Sequence, residues 1–119
     1  MKKGKVRYTL KNEDLVTEFE GNCLFHKDKN ILIYKEQNDM DVMIELDRLI
    51  LTRENKEMFL LLDFYGGESY VQIKKIDKKM PLTVTVHSKR LEENSLFISY
   101  SLSENNIFNF NVQWILGDE

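Results

Sequence analysis

The residue types that most often carry out enzyme chemistry are scarce here: one cysteine, Cys23, and two histidines, His26 and His87. A lone cysteine forms no internal disulfide, and no second one exists for a Cys-x-x-Cys redox pair or a thiolate metal site. Paired with either histidine, Cys23 would supply a nucleophile and its base. Beside a Gly21-Asn22 turn it reads instead as a small buried hydrophobe. The histidines show neither His-x-His nor His-Glu-x-x-His spacing, so both read as surface residues and no metal is expected.

Carboxylates occur in pairs, Glu13-Asp14, Glu18 with Glu20, Asp39 with Asp41, and Glu92-Glu93. Glycoside hydrolysis needs two acids facing each other across a cleft, which neighbours on one strand do not supply, so these read as solvated. Gly66-Gly67 lacks the Lys-Ser/Thr and the following helix of a phosphate loop and reads as a turn. Lys74, Lys75, Lys78 and Lys79 form the densest basic run and read as a solvated turn. With 17 Lys+Arg against 20 Asp+Glu, the net charge is −3 and no basic stripe for nucleic acid emerges. No nucleophile, base and orienter fall together, so neither an enzyme nor a cofactor is expected.

Aromatic residues are the remaining signal. Tyr8, Phe19, Tyr34, Phe64, Tyr100, Phe110 and Trp114 fall on or near apolar faces, as does Phe108. In a filled interior they are core. In an open one they line a ligand pocket, with the tyrosine hydroxyls and the Trp114 N–H as the few polar handles. The Gly-x-Trp of secreted lipocalins and the C-terminal Arg-x-Tyr of fatty-acid-binding barrels are both missing, so neither ligand class transfers.

The elements that must position these residues are strands. No alanine, the strongest helix former, occurs in 119 residues. Period-2 alternation recurs instead. Val6, Tyr8 and Leu10 share a face, as do Met40, Val42, Ile44 and Leu46, then Leu82, Val84 and Val86 after Pro81 at a strand start. Leu96, Ile98, Tyr100 and Leu102 alternate with Ser99, Ser101 and Ser103. A Glu104-Asn105-Asn106 turn then leads to Phe108, Phe110, Val112, Trp114 and Leu116. Turns are expected at Asn12 to Asp14, at Gly21-Asn22, at Lys27 to Asn30 and at Gly66-Gly67.

No helical stripe is long enough for a parallel crossover, so the connections are antiparallel. The expectation is one all-β domain over residues 1–119, an up-and-down, calycin- or lipocalin-like β-barrel of about eight to ten strands. The longest apolar run, Met58 to Leu62, is five residues, and Arg7 and Thr9 interrupt Val6 to Leu10. Neither a membrane span nor a signal peptide is read, and a cytoplasmic location is expected.

The stretch Met80-Pro81-Leu82-Thr83-Val84-Thr85-Val86-His87-Ser88-Lys89-Arg90-Leu91, then Leu96 to Leu102 and Phe108 to Ile115, resembles the closing strands of the YwiB-like family of small bacterial proteins. Glu20, Leu32 to Glu36 and Ile50 to Arg53 resemble its early strands, so the likeness covers most of the chain. Met80-Pro81 replaces a Gly-containing turn of that family, and Ser88 its usual Thr. The resemblance implies a calycin-like barrel in a bacterial cytoplasm and brings no catalytic residue.

The function expected is non-enzymatic binding of a small, largely apolar ligand in the barrel, lined by Tyr8, Phe19, Tyr34, Phe64, Tyr100, Phe110 and Trp114. The alternative is a protein interaction module, homodimeric in its simplest form, anchored by outward apolar residues such as Met43, Leu61 and Ile115.

Overall fold

The computed structural model describes residues 1–102 and 106–117. Ser103, together with Glu104 and Asn105 of the expected final turn, lies outside the described residues. The strands are β1 (Lys2–Asn12), β2 (Leu15–His26), β3 (Ile31–Glu36), β4 (Met40–Glu45), β5 (Ile50–Glu54) and β6 (Met58–Asp63). They continue with β7 (Ser69–Ile73), β8 (Lys78–Leu82), β9 (Val84–Glu92), β10 (Ser95–Leu102) and β11 (Asn106–Leu116). Short 3-10 turns, Gln37–Asp39 and Lys74–Ile76, are the helical elements.

All strands join one antiparallel sheet in the order β8-β7-β6-β5-β4-β3-β2-β1-β11-β10-β9. Eleven strands form among the described residues, not eight to ten. The additional one arises where the run from Lys78 to Glu92 breaks at Thr83 and changes partner: β8 pairs with β7, and β9 with β10. The sheet thus curls nearly closed, and the join is this covalent hand-over rather than a ladder of hydrogen bonds. Pro81 lies inside β8 rather than at a strand start, and β8 ends the ladder order, where a missing N–H is tolerated.

Gly21-Asn22 is not a turn. β2 runs through it, with Gly21 opposite Val6 and Asn22 opposite Lys5. The Phe19 ring covers the glycine, and a Cβ there would sit 2.6 Å from its Cζ. The missing side chain therefore makes room for an aromatic ring. Other turns fall where expected, with Glu13 and Asn30 at positive φ, a conformation that asparagine adopts at low cost. Leu46, expected in a strand, stays buried in the turn that follows β4.

Inward faces of the strands meet in one core: Val42, Ile44, Leu32, Leu62, Leu96, Ile98 and Val112 are almost wholly enclosed. Phe25 stacks on Trp114 with centroids 6.4 Å apart. Towards one end the same faces become half-buried but stay apolar. Leu10, Phe108, Leu102 and Val84 follow one another there on β1, β11, β10 and β9.

Candidate functional site

Tyr8, Tyr34, Phe64, Tyr100, Phe110 and Trp114 are buried, and Phe19 is half-buried. They do not form one site. Tyr8 is the hub of one cluster, 5.8 Å from Phe19, 6.0 Å from Tyr34 and 5.7 Å from Phe110, while Phe19 stacks on Tyr34 at 5.9 Å. Tyr100 belongs to another, between Phe64 and Phe108. Tyr8, Tyr34, Tyr100 and Phe110 share the wall of an internal cavity of about 30 Å³ with Leu10, Val42, Leu51, Leu60 and Leu62. Phe64 and Trp114 are not in that wall. The enclosed space suits a water molecule, far below the several hundred Å³ that bury a whole ligand.

Two residues absent from the sequence-based site complete the wall: Glu36 and Arg53. Their positions follow from the strand period. Leu32 and Tyr34 point inward on β3, so Glu36 does too, and Leu51 places Arg53 inward on β5. Opposite charges on two inward faces were the signal available in the sequence. The Glu36 side chain is 8% exposed and Arg53 30%. Burying a carboxylate demands partners, and Glu36 has three bonds. Arg53 Nε donates to Oε1 at 3.1 Å, Arg53 Nη2 to Oε2 at 3.0 Å, and the Tyr8 hydroxyl to Oε2.

The pairing above Cys23 and Tyr34 explains why this group is reachable. β2 pairs with β3 only over Cys23 to His26, leaving Leu15 to Asn22 without a neighbour on that side. Side chains close the seam instead: the Phe19–Tyr34 stack and the Tyr8–Glu36–Arg53 group. Outside it opens a cleft of about 240 Å³, whose wall includes Thr17, Glu18, Phe19, Met40 and Asn55. Tyr8, Glu36 and Arg53 line both the cleft and the inner cavity.

The tyrosines keep their protons here, and Tyr8 uses its own to bond Glu36. Burial, then the bond to Glu36 and its negative charge, pushes the Tyr8 phenol far above its ordinary value, with Arg53 opposing. Burial, then the Glu36 charge, holds Tyr34 well above it also. Tyr100 is pushed up to about 12 by burial. A group of this kind binds and orients a polar atom.

Other sequence candidates lie elsewhere. Cys23 is buried, and burial raises its thiol, which disfavours a nucleophilic thiolate. Register shifts between Ser99 and Tyr100, so that His87 is an additional residue in β9. Its Nε2 lies 2.6 Å from Ser101 Oγ, a contact that alternation alone conceals. Several acids hold exposed ion pairs: Glu20 with Arg7, Asp41 with Lys35, and Glu92 with Arg90. Lys74 bonds Glu54 and the Asn55 carbonyl, and Lys79 pairs with Glu68 over the Tyr70 ring. Among the described residues, no group of three or more His, Cys, Asp or Glu is arranged to hold a metal, and no helix is long and apolar enough to cross a membrane.

No family model matches the sequence, and no curated protein does. Among solved structures, the chain is similar to the crystal structure of the YwiB protein from Bacillus subtilis, at a TM-score of 0.75 and 16% identity. The match covers 98% of this chain and 93% of that one. At that identity the likeness is one of fold.

Proposed function

We propose that this chain is a non-enzymatic, calycin-like barrel of the cytoplasm that binds a small, largely apolar ligand at its open end. The observation that carries the reading is the Tyr8–Glu36–Arg53 group, which stands in the otherwise apolar wall of the inner cavity and also lines the outer cleft, where Phe19 and Met40 are its apolar neighbours. Apolar walls with a few convergent polar atoms are the usual make-up of a ligand site. The inner space is only water-sized, so the ligand sits in the cleft, with its apolar part against Phe19 and Met40. Titration with a neutral, environment-sensitive dye such as Nile red tests this. A saturable one-to-one rise in emission that Met40→Asp abolishes, in protein that still folds, is the expected result. No saturable response overturns the reading. Dye fluorescence is the better reporter, because Trp114 lies outside the cavity wall.

A second reading rests on a separate observation. Cross-strand pairing aligns Leu24, Ile33, Met43, Thr52, Leu61 and Tyr70 in one row over the outside of β2 to β7. Met43 is 38% exposed and Leu61 half-buried, whereas Ile115, 74% exposed, stands apart on β11. Such a row would serve an interaction module or homodimer. Sedimentation equilibrium of the wild type and of Met43→Lys separates a monomer from a dimer held by this face.

A further inference from the structure

We propose that the ligand is an amphiphile with a carboxylate head, and that the end-on edge of the Arg53 guanidinium receives that head. The inference rests on the ligand-binding reading above and deepens it. A guanidinium carries two forks of parallel N–H donors. Glu36 occupies the side-on fork, through Arg53 Nε to Oε1 and Nη2 to Oε2. The end-on fork, formed by Nη1 and the second Nη2 hydrogen, has no bond to any described residue, and its two parallel donors match a carboxylate.

The two charges also differ in access. Glu36 is the buried partner, at 8% exposure, with both oxygens engaged, while Arg53 is 30% exposed. An entering head group therefore meets a cation first. Arg53 also lines the cleft, so a head bonded there leaves its chain in the cleft against Phe19 and Met40. Glu18 also lines the cleft and opposes an anion, but it is exposed and screened by salt. An ammonium head would face Arg53 directly, and an alcohol would use one donor of two.

The test is isothermal titration with three ten-carbon amphiphiles, decanoate, decan-1-ol and decylamine, each below its micellar concentration. Decanoate is expected to bind one-to-one and at least about tenfold more tightly than the other two. Arg53→Lys keeps the charge but not the fork, and should weaken decanoate about tenfold while leaving decan-1-ol unchanged. Glu36→Gln removes the competing charge and should tighten decanoate. Thermal melting of both variants establishes that they fold. Equal binding of all three heads, or equal loss of decanoate and decan-1-ol in Arg53→Lys, overturns the carboxylate assignment and leaves the ligand reading standing. Binding of none of them to the wild type removes both.

Discussion

The Tyr8 hydroxyl on β1 donates to Glu36 Oε2 at the end of β3, reaching past β2, the strand that lies between them. Two strands that are not neighbours in the sheet are thereby tied at a level where the β2–β3 ladder has already ended. Removing the donor leaves a buried carboxylate short of a partner. Tyr8→Phe is expected to cost about 1.5–3 kcal/mol by urea denaturation. In a Glu36→Leu, Arg53→Leu background the same change should cost much less, because the charge that needs the phenol is gone.

Inside and outside positions should separate by melting. Ile98 is fully buried between β9 and β11, so Ile98→Ala is expected to lower stability by about 2–5 kcal/mol through lost burial and a residual cavity. Thr85→Ala, at an exposed position of β9, should change it by less than about 0.5 kcal/mol.

Alternation made most of this legible in the sequence, because a period of two assigns each residue a face once one buried neighbour is known. Tyr8, Tyr34, Tyr100, Phe110 and Trp114 lie inside for that reason. Gly21-Asn22 misleads because the pair favours turns locally, whereas here the ladder with β1 holds it extended and Phe19, packed on Tyr8 and Tyr34, covers the glycine. The Thr83 break is invisible to periodicity, since it marks a change of partner along one run of chain. Glu36 and Arg53 are on the expected faces, but charged residues at strand ends read as solvated until the partner strand is known.

Phe19 and Gly21 should behave as a pair. Gly21→Ala brings a methyl 2.6 Å from Phe19 Cζ and displaces a ring wedged between two tyrosines, costing about 1–3 kcal/mol. In a Phe19→Ala background the same change should be neutral or stabilising, since alanine suits a strand interior better than an uncovered glycine. Equal costs in the two backgrounds, by double-mutant cycle, would show that the ring does not depend on the glycine.

Alkaline stability follows from the phenols. Tyr8, Tyr34 and Tyr100 are all raised above the ordinary value of 10.0. Below pH 10 both folded and unfolded chains hold these protons, and the stabilisation is fully present. Above it the unfolded chain releases them first and so binds fewer protons, which makes stability fall as pH rises. The expected result is unfolding above about pH 10 in which three tyrosines ionise, by absorbance at 295 nm, together with loss of the β-sheet circular dichroism. Their ionisation in a still-folded barrel would contradict it.

Most direct is a map of where a carboxylate amphiphile touches the barrel, obtained from ¹⁵N–¹H correlation spectra of the labelled protein titrated with decanoate. One saturating set of shifts centred on Tyr8, Thr17, Phe19, Glu36, Met40 and Arg53 is the predicted result. Non-saturating shifts, or shifts confined to the outer row of Leu24, Ile33, Met43 and Leu61, would contradict a site at the open end and move function to the outer face.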